Sequence, residues 1–313
     1  MSLIERAAKR LEELRKAGVE IPIGVSRATH DSNESSPHFE PSRKAQSIEK
    51  TAETTSPSTP TVSRSAMRSQ PGFELDLRKL AALGFVTPDM PRSRIADEFR
   101  VLKRPLIANT LSKRPTPIKH ANLIMVTSSV PGEGKTFTAF NLAMSLAMEL
   151  EKTVLLVDAD VARPALPTLL GMSSQKGLLD VLEDRSLDVG TFLRHTNVEK
   201  LSILPSGTPS LNATELLASG AMTRLLDEIS ARYKDRIIVF DSPPLLVTTE
   251  ARVLATQMGQ IVFVVHAEST FQSDVKRALA MIETCQVKLI VLNQARTAGQ
   301  GAYGYGYGYG YGS

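Results

Sequence analysis

Apolar residues in the second half of the chain come in short, β-branched blocks. They are NLIMVT at 122–127, TVLLV at 153–157, LSIL at 201–204, IIVF at 237–240, IVFVV at 261–265 and VKLIVL at 287–292. Blocks of four to six apolar residues with no polar alternation predict strands buried on both faces. Longer stretches of helical character lie between most of them, notably 135–151, 213–232 and 271–285. Buried strands alternating with helices predict an α/β fold, a mostly parallel sheet with helices on both faces and right-handed crossovers. A ligand on such a sheet is expected beyond the carboxyl ends of its strands.

The first third of the chain has a different rhythm. Leu3, Ile4, Ala7, Ala8, Leu11 and Leu14 recur at helical spacing with charges opposite, and Gly18 follows as a stop. A lone amphipathic helix over 3–17 has to dock its stripe on its own core, a partner or a membrane surface. From about 21 to 71 the chain is Ser, Thr, Pro and charge, with too little apolar surface to offset ordering entropy, so a disordered linker is expected. Residues 73–89 predict a short helix closed by Gly84, and 93–107 a second. The expected organisation is a helix at 1–20, a linker at 21–71, a folded domain at 72–296 and a flexible tail at 297–313.

Composition narrows the class. Apolar content of 42% and charged content of 22% fit a globular protein, and a single cysteine, Cys285, cannot form an intramolecular disulfide. No apolar run approaches the roughly 20 residues of a membrane span, and the charged N-terminus lacks a signal-peptide core, so a cytoplasmic location is expected. The net charge of +4 is concentrated locally. Residues 91–120 hold eight Lys/Arg against Asp97 and Glu98, which suits a solvated surface, a subunit contact or an anionic partner. Without interleaved aromatics it does not suggest nucleic acid.

Candidate chemistry follows the first strand. In LIMVTSSVPGEGKTFTAF a strand runs into a glycine-containing turn ending Gly134-Lys135-Thr136, then into a helix. Such a loop turns backbone N–H groups and a helix N-terminus onto phosphate oxygens. The expected nucleotide contacts are Ser129, Val130, Pro131, Gly132, Glu133, Gly134, Lys135, Thr136 and Phe137. Lys135 would reach the β/γ-phosphates and Thr136 would hold Mg²⁺. Ser129 stands where such loops usually begin with glycine. Two further strands end in acids: Asp158 and Asp160 in TVLLVDADVARP, and Asp241 in RIIVFDSPP. Carboxylates at strand tips beside a phosphate loop suit a metal-bound triphosphate, one holding the metal and another orienting or deprotonating a nucleophile. Asn293, at the end of LIVLN, is a candidate adenine contact and equally a strand cap.

PGEGKT, LLVDADVARP, IIVFDSPP and the terminal tyrosines together resemble the bacterial tyrosine kinases, P-loop autokinases of exopolysaccharide synthesis and export, over residues 93–313. The N-terminal MSLIERAAKRLEELRKAG and LAALGFVTPDMPRSRIADEFR look like the exosortase-associated subgroup. The resemblance implies ATP and Mg²⁺ as cofactors, with Thr136, Asp160 and Asp241 managing the metal. It implies Lys135, Asp158 and Asp160 as catalytic residues, Asp158 activating the incoming phenol or exchanging that role with Asp160. The family's ring-forming Glu-x-x-Arg-x-x-Arg helix reads Asp97-x-x-Arg100-x-x-Lys103 here. Its second acidic motif usually carries arginine where Ala162 stands, with Arg163 following.

The tail contains Tyr303, Tyr305, Tyr307, Tyr309 and Tyr311 alternating with glycine, and only Tyr233 lies elsewhere. In such kinases a neighbour's active site phosphorylates these tyrosines. Extended, residues 297–313 reach about 55–60 Å. The resemblance also implies a homo-oligomer, a membrane adaptor of the chain-length-determinant type recruiting the kinase to the inner membrane face, and a counteracting tyrosine phosphatase. The rival readings are a partitioning-type ATPase switch and a non-catalytic nucleotide-gated scaffold. Partitioning ATPases carry a signature lysine where Val130 stands, and they lack such a tail.

Overall fold

The computed structural model describes residues 73–111, 117–173, 175–232 and 235–295. The expected helix at 3–17, the linker and the tyrosine tail lie outside the described residues. The apolar blocks become β1 (Leu123–Ser128), β2 (Thr153–Asp158), β4 (Leu201–Leu204), β5 (Arg236–Asp241), β6 (Gln260–His266) and β7 (Val287–Asn293). A two-residue strand, β3 (Arg194–His195), joins them, and the sheet order is β3-β4-β2-β5-β1-β6-β7. Every pairing is parallel except β3 with β4. β3 escaped the sequence reading because Arg194 and His195 carry no apolar signal.

Strand period explains the continuous apolar runs. Leu123, Met125, Leu155, Val157, Ile238, Phe240, Ile261 and Phe263 enter the core on one face. Their alternating neighbours Ile124, Val126, Val154, Leu156, Ile237, Val239, Val262 and Val264 enter the other. β7 has a strand on one side only, and Ile290 and Leu292 stay exposed.

The helices are α1 (Leu77–Ala82), α2 (Arg94–Leu111), α3 (Lys135–Ala147), α4 (Leu166–Leu170), α5 (Leu178–Glu183), α6 (Ala213–Leu217), α7 (Gly220–Arg232), α8 (Thr249–Ala255) and α9 (Gln272–Ala280). The stretch expected as one helix over 213–232 is broken, because the Ser219 hydroxyl accepts from Ala221 N (3.1 Å) and Met222 N (3.4 Å) and so starts α7 afresh. α9 ends at Ala280 rather than 285. Lys288 Nζ donates to the carbonyls of Ile282, Glu283 and Cys285 in the turn that follows. α2 outruns its expected end and contains Pro105. The carbonyl deprived of its N–H partner belongs to Val101, which is 75% exposed, so water can take its place.

α3 is buried along most of its length, between the sheet and residues 73–111. Phe85 packs on Phe137 and Phe140, with ring centroids 4.9 and 5.4 Å apart. Asn141, buried within α3, accepts from Val86 N at 2.6 Å and donates to Phe137 O at 2.9 Å. The helix that follows the glycine turn is thereby held on both sides, which keeps its N-terminus fixed beneath the ligand position.

Candidate active site

β1, β2 and β5 are neighbours at the centre of the sheet, so the glycine turn and the strand-end acids meet at one edge. Between β1 and α3 only Gly132 (φ +86°) and Gly134 (φ +92°) take left-handed backbone. Both positions need glycine. Ser129 has no such requirement, which is why serine is accepted where glycine is usual. It is fully buried, and its carbonyl accepts from Leu246 N at 3.1 Å. Gly134 has a second constraint: a Cβ there would sit 2.0 Å from Asn293 Nδ2.

Glu133 is 2% exposed and organises the turn from within. Its carboxylate accepts from Val130 N at 2.7 Å through Oε2 and from the Thr270 hydroxyl through Oε1. Its carbonyl accepts from Asn293 Nδ2 at 2.9 Å. Asn293 thus braces the turn as a strand-end cap, while its second N–H and its amide oxygen stay available to a ligand. Phe137 and Asn293 also line a cavity of about 810 Å³ between α2 and β7.

Asp158 and Asp241 are Cα partners across β2 and β5, and both are fully buried. No carboxylate oxygen of either meets full hydrogen-bond geometry with a partner. Burial pushes Asp158 up to about 8, helped by the negative charges of Asp241 and Asp160. Burial pushes Asp241 up to about 7, while the nearby Thr136 hydroxyl and Lys135 ammonium pull it back. Asp160, half-buried, is also raised by burial and is drawn down by Lys135 and Arg163. Two desolvated carboxylates side by side are a site that wants a cation. Orphaned oxygens beside a hydroxyl form the hard-oxygen donor set that suits Mg²⁺. Among the described residues no cluster of three or more His, Cys, Asp or Glu could hold a metal alone.

The acidic-basic motif on α2 divides. Asp97 and Arg100 are exposed and paired with each other, and Arg100 also donates to Pro91 O at 2.9 Å. Lys103 does not join them, correcting its placement as an oligomer contact. It is 5% exposed, ion-paired with Glu149 at 2.8 Å, and donates to Ser145 O at 2.5 Å. Ala162 and Arg163 are exposed beside Asp160. Thr270 was missed by the sequence reading, and no local pattern marks it.

A family model described as "ParA: NUBPL iron-transfer P-loop NTPase" matches residues 119–296. The tyrosine-protein kinase YwqD of Bacillus subtilis is 30% identical over 216 residues, spanning 68% of this chain and 87% of that protein. The tyrosine-protein kinase ptk of Acinetobacter johnsonii is 33% identical over 182 residues, 58% of this chain but 24% of that longer protein. The solved VpsO kinase domain is 28% identical, covers 65% of this chain and all of its own, and superposes with a TM-score of 0.52. The kinase domain of Escherichia coli tyrosine kinase ETK shares the fold, with a TM-score of 0.55 at 24% identity over 69% of this chain and 85% of its own. The glycine turn, the paired strand-end acids and these relatives place the chain among the bacterial tyrosine-protein kinases, on a P-loop NTPase fold of the ParA type.

Proposed function

We propose that the chain is an ATP-dependent tyrosine autokinase that phosphorylates the terminal tyrosine cluster of a neighbouring copy. The observation that carries the reading is the fully buried pair Asp158 and Asp241, beside Lys135 and Thr136 at the mouth of a phosphate-type turn. Asp241, the Thr136 hydroxyl and Asp160 would hold Mg²⁺. A bound Mg²⁺ would supply neutralisation of phosphate charge there. Lys135 stabilises the transferring group, and backbone N–H groups of 132–136 seat the phosphates. Asn293 and Phe137 flank the base. The incoming phenol oxygen bonds to the γ-phosphorus as the bond to the ADP oxygen breaks, and Asp158 takes the phenolic proton. In the nucleotide-free chain the raised value of about 8 keeps a proton on Asp158 near neutrality, so MgATP has to displace that proton before the carboxylate can act as the base. Catalysis of this kind rests on positioning and charge neutralisation.

Residues 72–296 are the kinase domain in this reading, joined through the 21–71 linker to an N-terminal docking helix. The acceptors are Tyr303, Tyr305, Tyr307, Tyr309 and Tyr311. Five phosphates add roughly −7 to −10 charges, enough to repel neighbouring tails and loosen an oligomer held through the exposed Asp97–Arg100 pair. Among the described residues no helix is long and apolar enough to cross a membrane. An adaptor of the chain-length-determinant type then brings the kinase to the inner membrane face, where its phosphorylation state regulates exopolysaccharide export, and a tyrosine phosphatase resets it. The likeness to the exosortase-associated subgroup belongs to this proposal as well.

The test is intact mass after incubation with MgATP, with and without an adaptor peptide. Wild type gains phosphoryl groups confined to the tail, Lys135→Met gains none, and the five-fold Tyr→Phe chain binds ATP but gains few. Mixing Lys135→Met with the five-fold Tyr→Phe chain labels the former only if transfer runs between subunits. The rival reading on the same P-loop NTPase fold is an ATPase switch. Nucleotide hydrolysis with an unmodified tail in every mixture would select it.

A further inference from the structure

Glu133 is the meeting point of a closed hydrogen-bond circuit that reaches well outside the phosphate turn. Its carboxylate takes the Thr270 hydroxyl, and that hydroxyl in turn accepts from His266 N at 3.2 Å. Thr270 N donates to His266 O at 3.0 Å, closing the turn between β6 and α9. His266 is the Cα partner of Asn293, whose carbonyl accepts from Ala267 N at 2.9 Å and whose amide donates to Glu133 O at 2.9 Å. Three separate segments therefore meet at one buried residue: the start of the phosphate turn and the turn after β6 at the Glu133 carboxylate, and the end of β7 at its backbone carbonyl.

The circuit matters because of what Glu133 holds. Its other oxygen takes Val130 N and so fixes the start of the turn, ahead of the 132–136 N–H groups that have to face phosphate. A buried carboxylate that loses a partner does not stay in place, because an unmet charge in a dry site is costly. We propose that Thr270 is a positioning residue for nucleotide binding, acting through Glu133 to preset the phosphate turn, with Asn293 bracing the same point from β7. Thr270 touches neither nucleotide nor acceptor in this account. Its hydroxyl has both a donor and an acceptor duty, so serine can replace it and valine cannot.

The proposal rests on the nucleotide-binding reading of the turn and is independent of the tail as acceptor. Full-length wild type, Thr270→Val and Thr270→Ser are titrated with MgADP by calorimetry, and tail labelling is followed against ATP concentration. Thr270→Val is expected to weaken MgADP binding and raise KM for ATP about tenfold, the scale of a hydrogen bond to an ionised group, with kcat within about twofold of wild type. Thr270→Ser restores both. On a Glu133→Ala background, Thr270→Val adds nothing if Thr270 acts only through Glu133. Asn293→Ser probes the other side of the circuit and is expected to weaken MgADP binding in the same direction. Equal MgADP affinity in wild type and Thr270→Val, failure of serine to rescue, or additive losses on the Glu133→Ala background would each overturn the proposal. Wild type that binds no MgADP would instead sink the nucleotide reading itself.

Discussion

The paired buried acids make a prediction about the nucleotide-free protein, read through Asp158→Asn. Below about pH 4 folded and unfolded chains both carry the proton on Asp158, and the group imposes no penalty. Between the ordinary carboxyl value of 3.8 and the folded value of about 8, the unfolded chain has lost that proton and the folded chain still holds it. The folded state then binds more protons, so stability falls as pH rises, by about 1.4 kcal/mol per pH unit for each such group. Asp241 acts in the same sense up to about 7. From pH 5 to pH 7 the pair together lowers stability by up to about 5 kcal/mol. Asp158→Asn removes one group outright, so roughly half of the fall disappears. The assay is urea denaturation at pH 5, 6 and 7 in chelator without nucleotide. The readout is the slope with pH, since the buried amide changes absolute stability for its own reasons. Glu149 and Asp180, whose values are lowered, titrate below this window. Parallel pH profiles for wild type and Asp158→Asn would refute the reasoning, because Asp158 would then ionise in the folded chain as freely as in water. The same logic requires MgATP binding near pH 6.5 to release protons, which calorimetry in two buffers of different ionisation enthalpy measures.

Other predictions concern the turn and α2. Lys103→Met leaves Glu149 unpaired and the Ser145 carbonyl without its donor, costing about 2–3 kcal/mol in chemical denaturation. Arg100→Ala, on the exposed face, is expected to cost under about 0.5 kcal/mol while weakening self-association in sedimentation. Equal stability losses would mean that burial does not separate the two cations. Gly134→Ala adds a Cβ in left-handed backbone 2.0 Å from the Asn293 amide, so MgADP affinity should fall at least about tenfold. An unchanged affinity would show that the turn re-forms without the Asn293 brace.

Local pattern was enough for much of this protein. Six strands were legible because each is a contiguous apolar block, and the phosphate turn because Gly-Lys-Thr sits between a strand and a helix. Asp158, Asp160 and Asp241 were legible because each ends such a block. The family likeness was legible in the same short stretches. Lys103 could have been placed from spacing alone. Ala96, Phe99, Lys103 and Leu106 form one buried stripe of α2, and at 3.6 residues per turn Lys103 lies about 120° round the helix from Asp97. Charge likeness to a known motif obscured that periodicity.

What the chain could not reveal by itself were relations between distant positions. Strand order, which sets Asp158 against Asp241, depends on how crossovers pack and not on any one segment's composition. The Thr270 contact to Glu133 spans 137 residues and the Asn293 contact 160. Neither threonine nor asparagine carries a local mark of such a partner. The helix break at Ser219 and the early end of α9 were settled by side chains competing for backbone groups. The sequence determines which segments can be strands, turns and helices, since those preferences are local. The tertiary structure alone decides which buried charges meet, because desolvation and pairing exist only once the segments have packed.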